Sequence, residues 1–301
     1  MPGPSGPITL QVFIRSSQGS RIAGRQVFEY LRDTGRGAVY STGGTRDEID
    51  FMGNLETIPP YEHKEKSFPA GRVIEDPLIL DTDWLAVGHV DEMVQFLPAD
   101  NTLHGWVLFV ADPIRGLQIL QNAQKAGHGS LQAFSQPDES FPSIPRGVPN
   151  STIDEILTDK LIADNERFAE HIKGVRDTLQ EKTGIPDTNA HWVPMILETG
   201  VRWGPDDGVA PDLNYSVTHG AALYPGVLNG VVLSNSIYLF PKPWRPVIDG
   251  KDIIVEATNK VYEEVGFGVV YINAGIPSTK AVVKFIAGRT RSAFQNTHGG
   301  K

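Results

Sequence analysis

The chain reads as an α/β protein, and three features predict it. Strand-like apolar runs alternate with helix-period segments, so strand–helix–strand units recur along the chain. The strands are short and the loops between them long. At 301 residues and 40% hydrophobic content the chain can bury a sizeable core, as one large domain or two small ones.

In chain order, residues 1–7 (Met1-Pro2-Gly3-Pro4-Ser5-Gly6-Pro7) read as a flexible leader without the basic and apolar regions of a signal peptide. Ile8 to Ile14 alternates as a strand, and Ser16 to Arg25 as a polar loop beside Arg15 that carries Arg21 and Arg25. Arg32 to Asp50 is a long glycine-containing connection. It leads into Asp50-Phe51-Met52-Gly53-Asn54-Leu55-Glu56, where a carboxylate stands close to backbone carbonyls set by a glycine. That donor chemistry suits calcium, but from these residues alone an ordinary Gly-Asn turn before a strand is the stronger reading. Trp84 to Val87 is an apolar run ending at Gly88. As a strand end it would place His89 and Asp91 on one side, with Glu92 next to them. An imidazole beside a carboxylate can transfer protons and hold a cation.

Trp106 to Val110 predicts a buried strand. Leu117, Leu120 and Gln124 share a helical face that Gly127 would close. The proline-rich stretch from Gln136 to Asn150 is a loop. Thr152 and Glu155 have the spacing of a capping box. Ile153, Ile156, Leu157, Phe168, Ile172, Val175 and Leu179 then follow at helical spacing. The helix is expected to break near Leu161 and to stop at Gly184 and Pro186. Trp192 to Leu197 is a strand, and Gly200 to Asn214 a loop whose aspartates lack the spacing of a calcium-binding loop. Val231 to Leu233 is a strand, Lys242 to Pro246 a rigid turn, and Asp252 the cap of a helix with Ile254, Thr258, Val261, Tyr262 and Val265 on one face. Gly266 stops it, and Phe267 to Ile272 is the last strand. No internal repeat is visible.

The net charge of −9 and pI near 5.4 argue against non-specific contact with nucleic acid or anionic membrane. No apolar run reaches the roughly 20 residues that span a bilayer. The expected setting is therefore soluble and cytoplasmic. There are no cysteines, hence no disulfide, thiolate metal site or thiol nucleophile in these residues.

Several motifs agree in order and spacing. They are Gly53-Asn54-Leu55-Glu56-Thr57-Ile58-Pro59-Pro60, Phe68-Pro69-Ala70-Gly71-Arg72-Val73-Ile74, and Asp83 through Phe96. Further on come Ala126-Gly127-His128-Gly129, Asn229 to Leu233, and Pro241 to Gly250. Over residues 8–273 the chain resembles the protein-arginine deiminases. The resemblance implies a five-bladed α/β propeller (the pentein fold of the guanidino-group-modifying enzymes), incomplete here, followed by a divergent basic tail over 274–301. It implies hydrolysis of peptidyl-arginine to peptidyl-citrulline and ammonia, with arginine-containing proteins or peptides as partners and calcium as cofactor.

Carried over position by position, His89 matches the family's proton-handling histidine and Asp91 the second guanidinium-binding aspartate. Val87 matches a residue whose carbonyl lines the cleft, and Arg21 a substrate-backbone arginine. Met52 and Leu55 match the carbonyl donors and Glu56 the carboxylate donor of one calcium site. The first aspartate and the nucleophilic cysteine have no counterpart, so the chain is expected to be inactive as it stands. Three readings follow: a deiminase domain that is a fragment, a non-catalytic relative that binds arginine peptides or calcium, or a hydrolase using His89, Asp91 and Glu92 with a metal-bound water.

Overall fold

The computed structural model describes residues 58–69, 71–72, 78–86, 88–135, 150–200, 218–234 and 236–272. The expectations for the leader, the strand from Ile8, Arg21, Met52, Leu55, Glu56, Val87, the loops over 136–149 and 201–217, and the tail after Asn273 fall outside them.

Within the described residues, one strand has almost no solvent-facing side. Its sequence, Trp-Val-Leu-Phe-Val-Ala-Asp, is a continuous apolar run rather than an alternation. Such a run belongs to a strand covered on both faces, and Trp106 through Ala111 are all buried. In chain order the strands are β1 (Tyr61–His63), β2 (Lys66–Phe68), β3 (Val94–Pro98) and β4 (Trp106–Asp112). Then come helix α1 (Pro113–Ala123), a π turn over Gln124–His128, α2 (Ile153–Ile156), α3 (Asp159–Thr183) and strand β5 (Ala190–Pro194). Short strands β6 (Leu197–Glu198) and β7 (Ala221–Ala222) precede β8 (Val231–Ser234) and β9 (Ile237–Pro241). The hairpin β10 (Val247–Ile248) and β11 (Lys251–Asp252), helix α4 (Ile253–Glu263) and strand β12 (Gly268–Ile272) complete the set.

Two three-stranded sheets share one topology. In the first, β3 pairs antiparallel with β4, and β5 returns parallel to β4 after the helical crossover. In the second, β8 pairs antiparallel with β9, and β12 returns parallel to β9 after α4. The molecule therefore contains a ββαβ unit twice, although the sequence shows no repeat. The crossovers hide it: the first is built of α1, α2 and α3, the second of a small hairpin and α4. Both use the same start signal. Asp112 caps α1, its carboxylate accepting from the Arg115 amide at 2.9 Å with Pro113 following. Asp252 caps α4, accepting from the Ile254 and Val255 amides.

The helix signals are read correctly from sequence. The capping box at Thr152 and Glu155 is present in both directions. The break expected near Leu161 lies slightly earlier, at Leu157 and Thr158, because Thr158 starts a second helix by accepting from the Leu161 amide. α3 ends at Gly184 in the left-handed conformation (φ 74°). Asn165, fully buried on α3, takes the amide of Leu197 with its Oδ1 and gives Nδ2 to the Leu197 carbonyl. That exchange fixes the helix to β6 through a backbone it would otherwise leave unsatisfied.

The two units are joined by an aromatic and polar node. Tyr262 of α4 stacks between Phe109 of β4 (centroids 4.6 Å apart) and Tyr238 of β9 (4.9 Å, 8° between planes). Gln95 of β3 donates Nε2 to the Tyr238 hydroxyl at 2.8 Å and accepts from the Tyr262 hydroxyl at 3.3 Å. The Tyr238 hydroxyl in turn lies 2.8 Å from the Val227 carbonyl and 3.0 Å from that of Leu228.

Replacing Tyr238 with Phe keeps the ring but strands the Gln95 amide. Stability should fall by about 1–3 kcal/mol. Denaturant titration of Tyr238→Phe, Gln95→Leu and the double variant should give a double-variant loss smaller than the sum; strict additivity would refute the coupling. A second expectation concerns Gly116. A Cβ there would lie 2.1 Å from the Met195 carbonyl oxygen, so Gly116→Ala must push α1 off the chain beside β5. A loss of about 1–3 kcal/mol is expected, and an unchanged melting temperature would contradict the close approach.

Candidate functional site

The segment from Asp81 to Met93 carries the two residues singled out by sequence, and it is held on both sides. The Ala86 amide donates to the Gly220 carbonyl, and the Gly220 amide donates to the Trp84 carbonyl, both at 2.8 Å. Trp84 packs against Phe168 of α3 and stacks on His171 at 5.5 Å. The His171 Nδ1 lies 3.0 Å from the Asp81 carboxylate, and the Trp84 indole N–H donates to the Asp81 carbonyl. Downstream, the Ala111 amide of β4 donates to the Met93 carbonyl at 2.9 Å.

Between these anchors the chain does not run as the strand end that the apolar run suggested. Leu85 forms an isolated bridge to Gly220, Gly88 takes φ +66°, and Val90–Glu92 form a single 3-10 turn with His89 at its start. The Glu92 amide donates to the His89 carbonyl at 3.2 Å and the Met93 amide to that of Val90 at 3.1 Å. The strand alternation expected for His89 and Asp91 is therefore replaced. His89 itself is extended (φ −83°, ψ 119°), and the helical backbone begins at Val90. The sequence could not show this, because the turn is imposed by the anchors at Gly220 and Ala111.

His89, Asp91 and Glu92 are all buried, at 3%, 7% and 3% exposure. Burial favours the neutral forms of His89 and Glu92. The His89 imidazole is held down to about 4 from its ordinary 6.5 by desolvation. The Glu92 carboxyl is pushed well above its ordinary value, first by desolvation and then by the charge of Asp91. No hydrogen-bond donor among the described residues reaches either Glu92 oxygen. The turn thus carries a neutral base and an acid that resists ionisation, a pairing suited to proton movement next to a cation-accepting carboxylate.

Of the other candidates, Val87, Arg21, Met52, Leu55 and Glu56 are outside the described residues. Among the described residues no group of three His, Asp or Glu side chains could hold a metal ion, so a metal-bound water at His89, Asp91 and Glu92 finds no ligand set there. An open groove of about 480 Å³ runs along α3 between Asp81, Arg167, Glu170, His171 and Thr178. His171, which stacks on Trp84, lines it, and neither His89 nor Glu92 does. Two further groups carried no sequence signal. Glu198, at the end of β6, is raised to about 7 by burial. Arg245 is fully buried against the ring of Tyr224, although it sits in a proline-bracketed turn of the kind that is usually solvated.

The family model for protein-arginine deiminase matches residues 1–76 and 74–280. Human protein-arginine deiminase type-3 is 26% identical over 89% of this chain and 41% of its own length. The mouse type-4 protein is 26% identical over 75% of the chain and 35% of its own length, and the human type-1 protein 24% identical over 75% and 34%. The chain belongs to the protein-arginine deiminase family, and it spans about 41% of the length of the first of these relatives.

The buried imidazole sets an acid-side stability slope. Its folded value lies below its unfolded one, so between about pH 6.5 and 4 the unfolded chain binds the extra proton and stability falls as the pH falls. His89→Gln should remove roughly 3 kcal/mol of that loss. Chemical denaturation at a series of pH values checks it; parallel curves for the two proteins would show that His89 is not the group responsible.

Proposed function

We propose that this chain recognises the arginine side chains of proteins and serves their deimination, in which water replaces one guanidinium nitrogen to give peptidyl-citrulline and ammonia. The observation that carries this reading is the anchored turn that buries His89, Asp91 and Glu92 together. A guanidinium is planar and rich in N–H donors, so its recognition needs acceptors held in fixed positions. A carboxylate on a turn fixed at both ends meets that need. Asp91 is the proposed guanidinium acceptor, with His89 as the group that takes and returns the proton. Val87 and Arg21 complete the proposed substrate contacts. Family membership supports peptidyl-arginine as the substrate class.

The five-bladed propeller is part of the same proposal. Two ββαβ units of identical topology support it. Calcium enters through the resemblance, with Met52, Leu55 and Glu56 as its proposed holders; one hard cation there would order the loop they lie on. No helix among the described residues is long and apolar enough to cross a membrane, and we place the chain in the cytoplasm. The 301 residues contain no cysteine. The guanidinium carbon is resonance-stabilised and a poor electrophile, so attack on it requires an activated nucleophile such as a thiolate. We therefore expect this polypeptide to bind arginine without converting it.

Calorimetry of the 301-residue chain with benzoyl-arginine amide should show saturable binding, absent for benzoyl-citrulline amide, and weakened at least tenfold in Asp91→Asn. Colorimetric assay for citrulline should stay at background with and without calcium. Equal affinity for the two amides would end the recognition reading; calcium-dependent citrulline formation would overturn the expected inactivity.

A further inference from the structure

The groove along α3 contains a histidine that the reading above does not use. The Nδ1 of His171 lies 3.0 Å from Oδ2 of Asp81. Its ring stacks on Trp84, with centroids 5.5 Å apart and 19° between the planes. The Trp84 indole N–H donates to the Asp81 carbonyl at 3.2 Å. Three residues therefore close a ring of contacts: Asp81 to His171, His171 to Trp84, and Trp84 back to Asp81. The ring ties α3 to the segment that leads into the 3-10 turn. Beyond it the segment is held by the two backbone bonds that Trp84 and Ala86 make with Gly220.

These contacts differ from those of the turn in their access to solvent. His89 is 3% exposed. The His171 and Asp81 side chains are 37% and 56% exposed and line the open groove. Solvent protons reach the pair without any opening of the fold. A neutral imidazole gives the Asp81 carboxylate an uncharged donor at most. A protonated one makes a charge-assisted bond to it and sets a cation against the face of the Trp84 ring. One proton strengthens both contacts. The charged groups beside the pair include Arg167 and Glu170 of α3, which line the same groove. Arg167 is engaged by Asp164 and the Thr218 carbonyl. Asp83 follows on the segment, its amide 3.4 Å from Oδ1 of Asp81.

We propose that Asp81 and His171 form a pH-sensitive latch, in which protonated His171 is a positioning residue that clamps Trp84, and with it the segment leading to His89 and Asp91, against α3. The proposal rests on the arginine-recognition reading and adds regulation of that site by pH. Its sign follows from linkage. The closed latch favours the proton, so the closed form gains as the pH falls through the window in which histidine charge ordinarily changes. A partly exposed ion pair supports an effect of about two- to fivefold.

The first readout needs no ligand. Hydrogen exchange of the free 301-residue chain is followed on peptides covering residues 81–86 and corrected for the intrinsic pH dependence of exchange. Protection in the wild type should be about two- to fivefold greater at about pH 6 than at about pH 8. The difference should vanish in His171→Gln and in Asp81→Asn alike. Glu198, raised to about 7, changes charge in the same window, but it is present in all three proteins and cancels in the comparison. The second readout is calorimetric affinity for benzoyl-arginine amide. Its ratio between the two pH values should differ by the same factor between the wild type and His171→Gln. Equal protection ratios in the wild type and both variants would overturn the latch. A protection difference lost in the variants, with an unchanged affinity ratio, would overturn the positioning role. No binding by any of the three proteins would end the recognition reading, and the exchange result would still decide the latch.

Discussion

The structure depends on a hydrogen-bonded node between its two ββαβ units. Gln95, Tyr238 and Tyr262 bury an amide and two hydroxyls where three elements meet. Each bond is worth only about 1 kcal/mol net, and the aromatic stacking with Phe109 adds roughly 0.5–1.5 kcal/mol per ring pair. The larger effect is conditional. If the units slide, every member of the node is left desolvated and unpaired, at about 1–3 kcal/mol for each group. The node therefore selects one relative placement of β3, β9 and α4 more strongly than it stabilises that placement. Because the Tyr238 hydroxyl also holds the carbonyls of Val227 and Leu228, the loop before β8 is fixed by the same group.

That placement reaches the candidate site through a short path. Gln95 follows the 3-10 turn by three residues, and the Met93 carbonyl is bonded to β4. Upstream, Gly220 holds Trp84 and Ala86, and Trp84 is packed on α3. A turn clamped at both ends can keep groups in protonation states that solvent would reverse. His89 loses stability for the protein on the acid side, and Glu92 on the alkaline side, since its folded value is raised and the folded chain holds a proton that the unfolded chain has released. The two costs oppose one another in pH, so the site is least expensive between them.

Much of the fold was legible. The caps at Thr152 and Asp252, the stop at Gly184 and the buried run of β4 are local signals, set by residues within one turn of where they act. What was not legible was set at a distance. Nothing in Trp84 to Val87 says that Gly220 will take its backbone bonds and prevent a strand. Nothing in His89 to Glu92 says that the next residues will be tied to Ala111 and that Val90 to Glu92 will close into a turn. The ββαβ repeat escaped for a related reason: topology repeats while the apolar side chains of β4 and β9 pack in different surroundings and need not be alike. His89 and Asp91 were singled out because they fall in a motif, and Glu92 stands in the same motif; their shared burial is a property of the fold around them.

The division of labour within the turn bears on what the chain can do. On the proposed reading, recognition of a guanidinium draws on groups that the 89–93 turn and its anchors bury and hold in place. Bond breaking needs an activated nucleophile, and no cysteine is present in these 301 residues to provide a thiolate. The two requirements are separable in energy as well as in sequence. Binding energy is gained from the hydrogen bonds a ligand makes with groups held in place. Rate depends on interactions made only in the transition state. The turn keeps a buried carboxyl, Glu92, in its core. Such a group is tolerated only where the surrounding structure is stable enough to hold it, and here the stability comes from the node next to it.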